Sequence, residues 1–202
     1  MKKRKDDGSM PHLANINGVE SFEVTIEFTN RYTLSSRESL PFVSLIKEIM
    51  FNVSPPDARY PWRIPYSAPL YLWELQNNKG KLLYIGQTVY QQIRKRFKRH
   101  SAVMKILKHY PPSSVYFRLC SRLDLKYKKD GKNIVRAIEH FPLGQAKKLI
   151  DDIEAYLIYR CKPQYNIQYK NREKQYWKPF LITKTLNVHI PYLIKTKGIS
   201  GG

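Results

Sequence analysis

Cysteine is scarce in this chain. Two residues, Cys120 and Cys161, stand far apart among 202 and supply neither a disulfide framework nor paired zinc ligands. The histidines, among them His12, His109, His140 and His189, are equally scattered, which argues against a metal centre built from imidazoles. Long apolar runs are missing too: nothing approaches the roughly 20 residues of a membrane span, and no apolar segment follows the basic start as a secretory signal requires. A reducing cytoplasm is therefore the expected location. There are no internal repeats. Acidic residues are the last shortage, with 16 Asp and Glu against 36 Lys and Arg and a formal net charge of +20. So large a surplus favours a polyphosphate partner through counterion release. Residues 1–10 read as an expression tag, whose four bases and two acids account for little of the charge.

Proline and aromatic residues are plentiful by contrast. Residues 11–68 form an N-terminal extension. Phe22 to Phe28 alternates apolar and polar positions, the pattern of a half-buried strand. Phe42, Leu45, Ile46, Ile49 and Met50 recur at helical spacing, and Pro41 in the first turn places the start of that helix at Ser39. Pro55, Pro56, Pro61, Pro65 and Pro69 then forbid regular structure and mark a strap. The interleaved Tyr60, Trp62, Arg63 and Tyr66 either pin that strap to the domain or contact DNA.

The chain is organised around Pro69-Leu70-Tyr71-Leu72-Trp73-Glu74-Leu75, a polar turn through Gly80, and Leu82-Leu83-Tyr84-Ile85-Gly86-Gln87-Thr88. Two apolar runs around a glycine-containing turn predict a β-hairpin. A four-residue turn with Leu75 facing Gly80 sets Tyr71 directly opposite Tyr84, so two phenols share one patch. A helix capped by Thr88 is expected from Val89 to Lys108, with Ile93, Phe97, Met104 and Leu107 as its apolar stripe. Arg96 and His100 fall on that inward side, and a guanidinium there needs an anionic partner. Arg94, Lys95, Lys98 and Arg99 spread over the remaining surface, where they are either solvated or on phosphate. Ser114 to Cys120 reads as a third strand. Leu123 to Arg136, within a basic insertion near 121–144, reads as a hairpin turning at Asp130-Gly131, and its Lys126, Lys128, Lys129 and Lys132 are candidate nucleic-acid contacts.

A second helix is expected from Gln145 to Cys161, ending before Pro163. Ile150, Leu157, Ile158 and Cys161 lie within about 60° of Glu154 on a helical wheel, which sets Glu154 well inside the buried stripe. A carboxylate there requires a cation, a donor network or a metal. Asp151 and Asp152 are expected in solvent. The basic, aromatic tail from Tyr169 to Lys178 and the alternation after Phe180 predict one or two added strands or a dimer contact, with direct DNA binding as the other reading.

Tyr84-Ile85-Gly86, the Ile93-to-His100 run, Ile153 to Ile158 and Lys162-Pro163-Gln164-Tyr165-Asn166 occur in the order and approximate spacing that resembles the GIY-YIG nuclease superfamily. Of the first half of that signature only Tyr71 remains, behind Pro69-Leu70. The resemblance spans residues 69–168. It implies an α+β core, a three-stranded antiparallel sheet with flanking helices, carrying N- and C-terminal extensions. It also implies a DNA endonuclease acting with one Mg²⁺ (or Mn²⁺) on Glu154. Tyr71 would be the general base, Tyr84 and His100 would tune or relay the proton, Arg96 would hold the scissile phosphate, and Asn166 would support the site. A sequence-specific restriction enzyme, homodimeric on DNA, is the leading expectation. The alternatives are a structure-specific repair or recombination nuclease and a non-catalytic nucleic-acid-binding module of the same fold.

Overall fold

A computed structural model describes residues 22–28, 32–33, 69–76, 81–89, 96–97, 100–170 and 180–186. The tag, the helix expected from Ser39, the aromatic residues of the strap, Arg94, Lys95, Lys98, Arg99 and residues 171–179 lie outside the described residues. The described elements are β1 (Phe22–Phe28), β2 (Tyr32–Thr33), β3 (Tyr71–Leu75), β4 (Leu82–Gly86), α1 (Ser101–His109), β5 (Val115–Lys129), β6 (Lys132–Ala137), α2 (Leu143–Cys161) and β7 (Phe180–Leu186). The fold is α+β, as the sequence predicts.

β5 is the spine of the sheet. Its first half lies between β3 and β2, and its second half between β1 and β6, all antiparallel. β3 continues to β4 at one edge, and β7 adds parallel to β1 at the other. The expected three-stranded core is thus present as β4-β3-β5. The third strand does not stop at Cys120, however. Leu123, Leu125 and Tyr127 keep the inward alternation going, so the basic ribbon is a continuation of a core strand. Between the pairs Phe28–Cys120 and Glu27–Arg122, Ser121 is left unopposed, a bulge that bends β5 where it passes from one set of neighbours to the other.

Apolar residues fill both faces of the sheet. Leu72, Ile85, Val24, Ile26, Leu123 and Leu125 pack with Leu149, Ile150, Ile153 and Leu157 of α2. Trp73, Leu83, Phe97, Val115 and Phe117 pack with Val103 and Ile106 of α1 on the other face. Arg118 and Glu74 form a buried ion pair at 3.0 Å between β5 and β3.

One helical expectation changes. The single helix ending at Lys108 is interrupted at His100, whose backbone is extended (φ −90°, ψ 100°). The interruption resets the helical phase, so α1 buries Ala102, Val103 and Ile106, and Met104 turns outward, 47% exposed. In α2 the expected neighbours Ile150, Leu157 and Ile158 are buried, as are Ile153 and Ala155, and Glu154 lies half-buried among them. α2 ends where Lys162 takes a left-handed conformation (φ 46°) just before Pro163.

Candidate active site

The hairpin brings the two phenols together by a different register from the one expected. Leu75 N–H donates to Lys81 O, and a bulge leaves Leu83 unopposed, so Tyr71 pairs with Gly86 and Trp73 with Tyr84. The extra residues move Tyr71 and Tyr84 from directly opposed to diagonal positions on the same face, where their ring centroids are 6.0 Å apart. Gly86 makes this possible. A Cβ on it would stand 2.4 Å from the Tyr71 hydroxyl oxygen and 2.8 Å from the Tyr84 ring. Gly86→Ala is expected to lower stability by about 1–3 kcal/mol through overpacking and to disturb both phenols. Thermal melts together with the near-ultraviolet tyrosine signal check this; an unshifted melt and spectrum would mean the phenols have room to move aside.

Tyr71 is fully buried, edge-on to Phe97 at 5.1 Å. Its hydroxyl is in hydrogen-bonding reach of Arg96 and of the Tyr84 hydroxyl, whereas the nearby Trp73 Nε1 has no hydrogen-bond partner among the described residues. Two phenols, a guanidinium and an unpaired indole N–H on one face of a well-packed sheet are a concentration that folding alone does not favour. Burial, then the proximity of Tyr84, push the Tyr71 phenol well above its usual range; Arg96 opposes the shift and Glu154 adds to it. Tyr84 is pushed up to about 12, chiefly by burial and then by Glu154, again with Arg96 in opposition. Burial works against the charge on Arg96, yet the two phenols and Glu154 hold the guanidinium protonated more firmly than usual. One half-buried carboxylate, two phenols and one exposed guanidinium therefore share a single electrostatic cluster.

His100 joins the cluster at Tyr84, with Nε2 3.0 Å from the phenol oxygen and the rings edge to face at 4.9 Å. The helix interruption allows this contact, so Arg96 and His100 meet around Tyr84 without being neighbours on one continuous helix. Burial and the nearby Arg96 lower the imidazole pKa to about 4. The folded-state value lies below the unfolded one, so between the two the unfolded chain binds the proton more tightly. Stability should accordingly fall as pH drops from about 6.5 to about 4, by roughly 3 kcal/mol from this group. Urea titrations of wild type and His100→Asn across that range check it: the variant should lack this share of the loss, and identical curves would show that His100 titrates freely.

Asn166 is buried and clamps Ile85 of β4. Its Oδ1 accepts from Ile85 N–H at 3.0 Å, and its Nδ2 donates to Ile85 O at 2.9 Å. Tyr165 N–H donates to Leu83 O at 2.9 Å. Asn166 thus supports the site through the strand that carries Tyr84.

Asp151 was expected in solvent. It instead accepts a hydrogen bond from Gln87 Nε2, tying α2 to the residue after Gly86. Its position at the stripe edge, one turn before Glu154, was the available signal. Lys126, Lys128, Lys129 and Lys132 are exposed on the ribbon, apart from the phenol cluster.

Among the described residues no three His, Cys, Asp or Glu side chains converge as a metal cage. Mg²⁺ does not demand one, since it commonly takes one or two carboxylates and fills its octahedron with water and substrate phosphate. The half-buried Glu154 beside the two phenols fits that mode. No family model, curated protein or solved structure matches this chain.

Proposed function

We propose that this chain is a Mg²⁺-dependent DNA endonuclease of GIY-YIG type, with sequence-specific restriction cleavage as its leading role. The observation that carries the reading is the buried Tyr71 hydroxyl, pressed over Gly86 and gathered with Tyr84, Arg96 and Glu154 in one cluster. Titratable groups perturbed by burial and by one another in this way concentrate at functional sites.

Arg96 is the exposed cation of the cluster and meets the phosphodiester first, stabilising charge that develops on the phosphoryl oxygens. Its turn onto the phosphate opens Tyr71 to the attacking water. Tyr71 takes the proton of that water as its oxygen bonds to phosphorus and the P–O bond to the leaving sugar breaks. Tyr84 and His100 relay the proton that Tyr71 must first give up; the imidazole is neutral above about pH 4. Arg96 already pulls both phenol pKa values down. Mg²⁺ on Glu154, when bound, supplies Lewis acidity at a phosphoryl oxygen and positive charge beside the phenols. Asn166 and the Gln87–Asp151 contact hold β4 and α2 in place. A palindromic site is most simply cut in both strands by two copies related by a two-fold axis, so a homodimer on DNA belongs to the proposal.

Incubation with a large duplex DNA and Mg²⁺ tests the reading. Discrete fragments are expected. A smear points to a nuclease without sequence preference, and a mobility shift without cutting overturns the enzymatic assignment in favour of a binding module.

A further inference from the structure

The β5–β6 ribbon carries chemistry that the phenol cluster does not use. It closes through Asp130 and Gly131, both at positive φ (51° and 73°), as a tight two-residue hairpin turn requires. One face is rooted: Leu125 and Tyr127 are buried in the core shared with α2. The other face is open. There Lys126 stands opposite Val135 and Lys128 opposite Asn133; Lys129 and Lys132 pair beside the turn, at the exposed tip of the opposite face. Asn133 and the lysines are exposed, and Val135 is 65% exposed, high for an apolar side chain between lysines. Asp130 is the sole acid between Lys126 and Arg136. The ion pair of Lys126 with Glu23, 3.1 Å long and open to solvent, leaves most of that charge available.

We infer that this outward face reads duplex DNA in the major groove, with Asn133 and Val135 at base edges, and with Lys126 and Lys128 beside them and Lys129 and Lys132 at the ribbon tip on flanking phosphates. The identity of the duplex as DNA rests on the endonuclease reading, and the geometry points the same way. A two-stranded ribbon fits the roughly 12 Å major groove of B-form DNA, whereas the deep, narrow major groove of A-form RNA does not admit one. Asparagine matches the donor and acceptor edge of adenine, and an exposed valine methyl matches the methyl of thymine, so the site read should be rich in A·T pairs at the ribbon. Charge complementarity supplies affinity without sequence information, and the two central side chains supply the discrimination.

The same strand fixes the distance between reading and cutting. β5 pairs with Tyr71 at Leu119 and reaches the tip at Lys129, roughly ten residues on, so the bases read lie at most about 33 Å from the phenols, close to one turn of duplex. The bulge at Ser121 shortens that reach and sets its direction.

The test measures binding in Mg²⁺-free buffer, so that its outcome is independent of cleavage. The full-length protein is mixed with a pool of short DNA duplexes with a randomised centre, and the bound fraction is sequenced. Wild type should enrich an A·T-containing motif. Asn133→Ala and Val135→Ala should each lose preference by roughly ten-fold at one or two positions while binding the unselected pool within about two-fold. The Lys128→Ala, Lys129→Ala double variant should keep the motif, bind the whole pool more weakly, and reduce the slope of log affinity against log salt by about 2. An RNA duplex pool should bind at least about ten-fold more weakly than DNA. An unchanged motif in both central variants, no motif in wild type, an unchanged salt slope, or equal binding of RNA each overturns the inference. A protein that passes all four and fails to cut refutes the endonuclease reading and leaves the ribbon assignment standing.

Discussion

Glu154→Gln should abolish cleavage of duplex DNA in Mg²⁺, by on the order of 10³-fold or more, in a protein that remains folded. The substitution keeps size and shape, so packing around Ile150, Ile153 and Leu157 is kept. What disappears is the negative charge that faces Tyr71, Tyr84 and Arg96. Affinity for DNA in Mg²⁺-free buffer should hold or rise slightly, because a carboxylate near the bound phosphate has been neutralised. Arg96→Ala should be similarly inactive for a different reason, the loss of phosphate stabilisation, so raising the Mg²⁺ concentration should not rescue it. Single-turnover cleavage, paired with circular dichroism and a thermal melt, separates the cases. Wild-type cutting by Glu154→Gln, or its failure to fold, would make Glu154 a structural residue.

Tyr71→Phe is expected to separate activity from stability. The ring keeps its packing against Phe97, Phe117 and Tyr84. The hydroxyl that is lost gives up its contacts with Arg96 and Tyr84 but relieves the crowding at Gly86. The two effects oppose each other, so stability should change by less than about 1 kcal/mol, which for a chain of this size is within about 2–4 °C in Tm. Cleavage should fall by about 10²–10⁴-fold, the usual contribution of a positioned acid or base. Tyr84→Phe, which gives up the 3.0 Å contact with His100 with no crowding to relieve, should lose both activity and stability. A Tyr71→Phe protein that cuts like wild type would remove Tyr71 from the chemistry and leave its buried hydroxyl without a role.

The hairpin, the Asp130-Gly131 ribbon and the strand at Phe22–Phe28 were legible in the sequence because each is a local pattern: alternation, a turn dipeptide, a run of β-formers. The residues of the cluster could be named for the same reason, as they sit at fixed offsets within short motifs. What the sequence did not disclose was set by non-local geometry. The bulge at Leu83 depends on how β4 is held by β3 and Asn166, and it moved the phenols from opposed to diagonal. The break at His100 goes with the contact of its ring to Tyr84, sixteen residues back, and beyond it Met104 faces outward. β5 runs past Cys120 because β1 and β6 are there to pair with it, and neither strand is visible from the Val115–Cys120 pattern itself. The Gln87–Asp151 contact joins residues far apart in the chain, and only the stripe-edge position of Asp151 hinted at it.

The clamp on Ile85 has a consequence outside the chemistry. β4 ends the strand order on its side of the sheet, and an edge strand with free N–H and C=O groups is a template for intermolecular pairing. Here a side-chain amide takes both backbone groups of Ile85, and the backbone N–H of Tyr165 takes Leu83 O, so at this stretch the border is occupied by the chain's own later segment. The short run after α2 works as a selvedge: it finishes the sheet against fraying and against the addition of a foreign strand. Because that run is continuous with α2, the helix bearing Glu154 cannot lift away from the sheet without first unpicking its hem.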